Sequence, residues 1–334
     1  MKLVLLVLLA QCMFLSACSS SSIEIERIQG STMGTGYSVL WPEVENITSI
    51  SVQNKIEQIL VRINGQMSTY QEDSELSLFN SATAPYTQTI SQQFAHVIDL
   101  SLSINRLTHG YFDISVGPLV NLWGFGPDQK SLQVPSAKQV KQAREQVGLE
   151  SIKLVDFQLS KQHQRYLDLS AIAKGFAVDQ VANLLEELNI PSYLVEIGGE
   201  IRVKGQKPDN QAWKVAVEAP EIHERRVQKI LALQDVAMAT SGDYRNYFEE
   251  NGHRYSHSIN PFTAEPVKHK LASVTIIDES CARADALATA MLVMGEEKAI
   301  AFAKQENIRG YFIMRTENGF IEHLTPAFDR WVNP

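Results

Sequence analysis

"SYLVEIGGEIRVKG", residues 192–205, holds two short strand-like runs separated only by Gly198-Gly199. A joint that tight connects neighbouring strands running in opposite directions, because a parallel pair needs a crossover of a dozen or more residues. Upstream, "IAKGFAVDQVANLLEELN" (172–189) is apolar at helical spacing, and "SIKLVDFQLSKQHQRYLDL" (151–169) reads as another hairpin. Downstream come strand patterns at "WKVAVEA" (213–219), "KILALQDVAMAT" (229–240) and "LASVTIID" (271–278), with a hairpin turn at Asn251-Gly252. A final helix and a hairpin around "TENG" (316–319) close the chain. Hairpins outnumber β-α-β alternation, so the expected class is α+β, with mainly antiparallel sheets and packed helices. Glycine inside a strand pattern also marks a bulge or a close backbone approach, which is the local expectation for Gly198-Gly199.

Towards the N-terminus, "IEIERIQG" (23–30) and "GYSVLW" (36–41) suggest two strands around the glycine-rich "GSTMGTG" (30–36). In the next segment Ile56, Ile59, Leu60 and Ile63 form one helical stripe. Phe94, Val97, Ile98 and Leu102 form another, with Ser91 as its expected cap and Gly110 as its end. A polar helix is expected near 136–147.

Residues 1–18 have the layout of a secretory signal: Lys2, the apolar "LVLLVLLA", then Ser16 and Ala17. "LSAC" (15–18) resembles a bacterial lipobox, in which Cys18 becomes the lipidated first residue. Residues 19–27 would then be a tether and 28–334 one two-lobed catalytic domain. A lipidated N-terminus holds a domain on a membrane surface without spanning it, on the periplasmic face of either the inner or the outer membrane. Without Lys2, one fewer than the 30 basic residues of the full chain, 29 basic face 38 acidic residues, a formal charge of −9. Nothing basic enough to neutralise phosphates is visible, so no nucleic-acid partner is expected. Cys12 lies in the signal and Cys18 carries lipid, which leaves Cys281 without a partner for an internal disulfide.

Neither a phosphate loop of the G-x-x-x-x-G-K-[ST] kind nor a G-x-G-x-x-G fingerprint occurs, and there is no C-x-x-C or H-E-x-x-H. His253 and His257 stand four apart, but "HRYSH" reads as strand, where that spacing is about 13 Å and unsuited to one metal. The chemistry is carried by short clusters instead. "DLSAIAKGFAVD" (168–179) joins a strand end to a helix start, with Ser170 as its natural cap and exposed N–H groups suited to an anion. Tyr111, Phe112, Trp123 and Phe125 gather around Asp113, either as a local core or as a stacking surface. "CARADALATAMLVMG" (281–295) places Asp285 and Thr289 on one face of an otherwise apolar helix read from Ala284 to Met294. Asp285 is either a helix cap or a functional carboxylate, since an ionised buried carboxylate needs a cation or strong donors.

In this order, "GSTMGTGYSV", "MSTYQEDSELSLFN", "FDISVGPLVNLWGFG", "LDLSAIAKGFAVD", "YLVEIGGEIRVKG", "SGDYRNYF", "YSHSINP" and "DALATAMLVMG" resemble the ApbE family of FAD:protein FMN transferases across residues 30–295. The resemblance implies a T-fold-like architecture. It also implies transfer of the FMN half of FAD to a threonine hydroxyl of a target protein, with release of AMP. Mg²⁺ would be held by Asp285, Thr289 and the backbone carbonyl of Ala171, oxygen donors that suit a hard cation. Met33, Tyr70, Tyr111, Phe112, Asp113, Asp168, Lys174 and Ile259 would line the FAD pocket; some members carry an acid at the position of Lys174. His257 is the candidate for orienting or deprotonating the acceptor hydroxyl. The implied partners are threonine-bearing subunits of membrane redox complexes, such as sodium-translocating NADH:quinone reductases. Two alternatives keep the same pocket. One is a Mg²⁺-dependent FAD pyrophosphatase giving FMN and AMP, and the other is a flavin-binding lipoprotein without catalysis.

Overall fold

The computed structural model describes residues 23–127, 132–221 and 226–332. The signal segment and Cys18 lie outside the described residues. The first hairpin pairs β1 (Ile25–Thr32) with β2 (Thr35–Pro42), followed by helices α1 (Ser49–Met67) and α2 (Glu75–Ser81). Next come β3 (Tyr86–Thr89) and helices α3 (Gln92–Leu107), α4 (Gly117–Leu122) and α5 (Ala137–Arg144). The hairpin of β4 (Ile152–Val155) and β5 (Gln158–Lys161) leads into α6 (Ala173–Glu187), then β6 (Tyr193–Ile197) and β7 (Glu200–Lys204). Then follow β8 (Trp213–Glu218), β9 (Val227–Leu233), β10 (Val236–Gly242), β11 (Tyr247–Glu250) and β12 (His253–Ser256). The chain closes with β13 (Ile259–Asn260), β14 (Glu265–Pro266), β15 (Leu271–Asp278), α7 (Cys281–Met294), α8 (Glu296–Gln305), and the hairpin β16 (Arg309–Thr316) and β17 (Gly319–Leu324).

The helices form where their sequences say they should. In α1 the buried stripe is Val52, Ile56, Leu60 and Ile63, and the Thr48 side chain accepts from the Ser51 amide to close the first turn. Ser91 caps α3 by accepting from the Phe94 amide, as expected. The 172–189 segment departs from expectation at its start. α6 begins at Ala173, its cap position is Ile172, and no side chain closes it. Ser170 instead donates its hydroxyl and amide to Asp168 Oδ1, at 2.6 and 2.9 Å. That turn competes locally with capping.

The dominant element is an eight-stranded sheet in the order β1-β2-β6-β7-β10-β15-β16-β17, antiparallel at every joint. Gly198 and Gly199, both with positive φ, form the two-residue turn between β6 and β7. They are a hairpin turn and not a bulge, because Ile197 pairs with Glu200 directly across them and the register runs unbroken from there. "KILALQDVAMAT" divides into β9 and β10 at Gln234-Asp235, where Asp235 also has positive φ.

Both faces of the sheet are covered. Ala237 and Ala239 of β10 face the core built with α1, α6 and α7, while Val236 and Met238 face a second core with Trp213, Leu231 and Phe328. Period-two alternation therefore separates two apolar cores, which is why β15 is buried along nearly its whole length. A third cluster, Leu119, Trp123, Phe248, Ile259 and Ala264, forms the smaller lobe. No helix among the described residues is long and apolar enough to cross a membrane.

Candidate active site

Between the β1–β2 hairpin, the β6–β7 turn, the first turn of α6, the Asp285–Thr289 side of α7 and the small lobe lies a cavity of about 1370 Å³. Tyr70, Tyr111, Phe112, Asp113, Asp168, Ala171, Lys174, His257, Ile259, Asp285 and Thr289 all line it. They come from segments up to 219 residues apart in the chain, the span from Tyr70 to Thr289. Met33 is not among the lining residues. It occupies the β1–β2 turn at φ +50° and packs against the main core, while its neighbours Gly34 and Thr35 reach the cavity. A smaller cavity of about 570 Å³ adjoins at Asp113 and is bordered by Arg106, Arg144 and Phe262.

At the crossing of α6 and α7 each helix caps the other. The Asp179 carboxylate of α6 accepts from the Cys281 and Ala282 amides and from the Ser280 hydroxyl, at 2.8–3.0 Å, and so satisfies the first turn of α7. Asp285 in turn accepts from the Gly175 amide in the first turn of α6, at 3.1 Å. Asp285 thus does not cap its own helix, which starts at Cys281 with Ser280 at the cap. The helices come this close because position 175 is glycine: a Cβ there would sit 2.4 Å from the Cys281 carbonyl oxygen.

Asp285 is 3 % exposed. Its second polar neighbour is Lys174, whose Nζ is 3.8 Å from Asp285 Oδ2 and 3.0 Å from Glu200 Oε1. Burial opposes the Lys174 charge, but the Asp285 and Glu200 carboxylates outweigh it and hold the ammonium above the usual lysine range. Burial raises the Asp285 carboxyl, with Lys174 and the Gly175 amide pulling the other way. Burial likewise pushes Glu200 up to about 8 against the pull of Lys174. One turn along α7, Thr289 Oγ1 lies 3.0 Å from Ser241 Oγ at the end of β10. Asp285, Thr289, Ser241 and Ala171 therefore bring hard oxygen donors to one cavity, the donor chemistry that suits Mg²⁺. The Gly175 amide reaches Asp285 and not the Ala171 carbonyl one turn back.

Two Asp-x-Ser turns border the same cavity. Asp113 Oδ1 accepts from the Ser115 amide and hydroxyl at 2.7 and 2.6 Å, as Asp168 does from Ser170, and the Asp168 amide bonds to the Ile114 carbonyl at 2.7 Å. Burial raises the Asp113 carboxyl. The segment ahead of Asp168 is fixed by Asn80, whose amide group bonds both the Leu167 amide and its carbonyl at 2.8 Å. The buried Lys161 ammonium adds to this clasp by donating to the Phe79, Asn80 and Arg165 carbonyls.

The aromatic residues divide between core and cavity. Trp123 is buried in the small lobe, donating to the Ala264 carbonyl and stacking on Tyr255. Tyr111 and Phe125 border the cavity, Tyr70 is 70 % exposed at its rim, and Phe125 meets His257 edge-on at 6.3 Å. His257 Nδ1 is 3.1 Å from the Asn246 carbonyl oxygen. A carbonyl only accepts, so Nδ1 carries the proton and Nε2 keeps its lone pair. Burial lowers the His257 pKa, and the Lys174 charge adds to this.

Glu200 and Asp179 are the residues that motif reading left without a role. Their signal was positional: Glu200 directly follows the two-glycine turn, and Asp179 stands one turn beyond Gly175 on the face towards α7.

The ApbE family model matches residues 33–312. The FAD:protein FMN transferase of Vibrio cholerae is 43% identical over 325 residues, covering 97% of this chain and 97% of that protein. The FAD:protein FMN transferase of Haemophilus influenzae is 43% identical over 334 residues, covering 97% and 96%. Among solved structures, the flavin transferase ApbE from Vibrio cholerae superimposes with a TM-score of 0.87 at 42% identity, over 92% of this chain and 99% of that one. A match of sequence and fold over both lobes, including the elements that wall the cavity, has one reading: this chain belongs to the ApbE family.

Proposed function

We propose that the protein transfers the FMN moiety of FAD to a threonine hydroxyl of a partner protein, with Mg²⁺ and with release of AMP. The observation that carries this reading is the wall of Asp285, Thr289 and Ser241 beside Lys174, at the floor of a cavity with room for a whole dinucleotide. Pure flavin binding would not require a cation-ready set of oxygens at that place.

In this reading the flat rings of FAD lie against Tyr111 and Phe125, and Asp113 and Asp168 accept from its ribose hydroxyls or ring N–H groups. Bound Mg²⁺ would offset charge on the pyrophosphate. Lys174 supplies a fixed positive charge on the same side, and Asp285, Thr289 and the Ala171 carbonyl hold the cation. His257 Nε2 takes the proton of the attacking threonine hydroxyl. The threonine oxygen forms its bond to the FMN phosphorus in line with the bridging oxygen, which departs on AMP.

We also place the chain on a membrane surface, anchored through Cys18 at the periplasmic face. Seven residue-to-residue steps, across six intervening residues, lead from Cys18 to Ile25, the first of β1. Fully extended, they reach about 25 Å, which favours acceptors that are themselves membrane subunits, of the kind found in sodium-translocating NADH:quinone reductases.

The test mixes the soluble chain from Ser19 onward with FAD, Mg²⁺ and a threonine-bearing acceptor domain, beside an Asp285→Ala control. Flavin fluorescence that stays with the acceptor through denaturing electrophoresis, with equimolar AMP and none in the control, is the expected result. AMP and free FMN without labelled acceptor would overturn the transferase in favour of a pyrophosphatase. FAD binding without AMP would leave a flavin carrier.

A further inference from the structure

One ammonium, Lys174 Nζ, stands between two buried carboxylates, at 3.0 Å from Glu200 Oε1 and 3.8 Å from Asp285 Oδ2. Glu200 is 3 % exposed, and its other oxygen, Oε2, has no hydrogen-bond partner. A buried carboxylate with an unpartnered oxygen is costly and is retained for a reason. Its position is well fixed. Glu200 is the first residue of β7, and the turn before it is held by the Gly198 amide on the Gly36 carbonyl at 3.1 Å. That turn also borders the lysine stem, because a Cβ at Gly198 would lie 3.3 Å from Lys174 Cδ.

At 3.0 Å the ammonium is within hydrogen-bond distance of Glu200 Oε1, and at 3.8 Å it is beyond that distance from Asp285 Oδ2, so its direct contact is with Glu200. With a neutral residue at position 200, the same ammonium would be left to Asp285 alone and would compete there with any incoming cation. We propose that Glu200 is a positioning residue that holds the Lys174 ammonium off Asp285 and so keeps that carboxylate open to a hard divalent cation. The inference rests on the reading of Asp285 as the cation ligand. Lys174 is then free to remain in the site beside the cation, on the phosphate side, without occupying the place of the metal.

The test is calorimetric titration of Mg²⁺ into the metal-stripped full chain, for wild type, Glu200→Gln, Lys174→Met and the double variant. Glu200→Gln is expected to weaken Mg²⁺ binding roughly tenfold, the scale on which partners of metal ligands act. Lys174→Met is expected to bind at least as tightly as wild type, and adding Glu200→Gln to it changes affinity by less than about twofold, since residues acting through one another are non-additive. Equal losses in both backgrounds would mean that Glu200 acts on the cation by its own charge, and unchanged affinity in Glu200→Gln would mean that it has no such role. Either result overturns the inference. If wild type binds Mg²⁺, Asp285→Ala abolishes it and Glu200→Gln is silent, the cation site stands and only the positioning role falls. If wild type and Asp285→Ala are alike in taking up none, both fall together. Metal-free melting curves and FAD affinity check that each variant is folded. Lys174→Gln takes the place of Lys174→Met should the latter lose its cooperative transition.

Discussion

Ser241 Oγ and Thr289 Oγ1 lie 3.0 Å apart, so the end of a central strand fixes the hydroxyl of a helix residue at the cavity wall. Ser241 lies 48 residues from Thr289 in the chain, and only the packing of α7 on β10 brings them together.

Removing that hydroxyl partner should loosen the donor set without dismantling the fold. Ser241→Ala is expected to lower turnover roughly tenfold at limiting Mg²⁺ and to be partly rescued by excess Mg²⁺, whereas Thr289→Val is not rescued. Steady-state rates across a Mg²⁺ series decide it. Equal, unrescued losses in both variants would count against orientation by Ser241.

A pH profile should report His257. A base works when neutral, and its pKa is lowered from the ordinary 6.5 by burial. Activity should therefore be level through neutral pH and fall as pH drops through a point below 6.5. His257→Gln should lower the plateau by about 10²- to 10³-fold and remove that acid limb, while FAD affinity stays close to wild type. An unchanged limb in the variant would assign it to another group.

The Asp179 carboxylate meets two α7 amides, the Ser280 hydroxyl and Arg202, the last at 2.9 Å. Asp179→Ala leaves these donors inside the α6–α7 crossing, and a loss of about 3 kcal/mol is expected in urea unfolding. Asp179→Asn, which keeps two acceptor positions on one oxygen, should lose less.

Gly175→Ala tests the helix crossing itself. The added methyl would meet Cys281 backbone atoms at 2.4 and 2.7 Å, which cannot yield as a side-chain tip can. Despite the better helix propensity of alanine, the variant should be destabilised by about 2 kcal/mol or more. FAD binding should weaken with it, because α6 carries Lys174 and α7 carries Asp285 on the two sides of that contact.

The sequence by itself determined much of this molecule. The two-glycine joint at 198–199 and the other hairpins made the sheet antiparallel, helical periodicity placed α1, α3 and α6, and the ordered motifs from Gly30 to Gly295 named the family. Those signals are local: side-chain period, turn chemistry and residue order act within a dozen residues or so. Whether Asp285 caps its own helix was not local, since that end is taken by Asp179 from 102 residues away, counted to Cys281. Nor could the sequence show that the ammonium of Lys174 lies nearer Glu200 than Asp285, that Trp123 is core while Phe125 faces the cavity, or that Met33 packs inward. Those facts follow from helices and strands meeting at contact distance, where a single absent Cβ at Gly175 decides how closely two backbones approach and therefore which charges share one pocket.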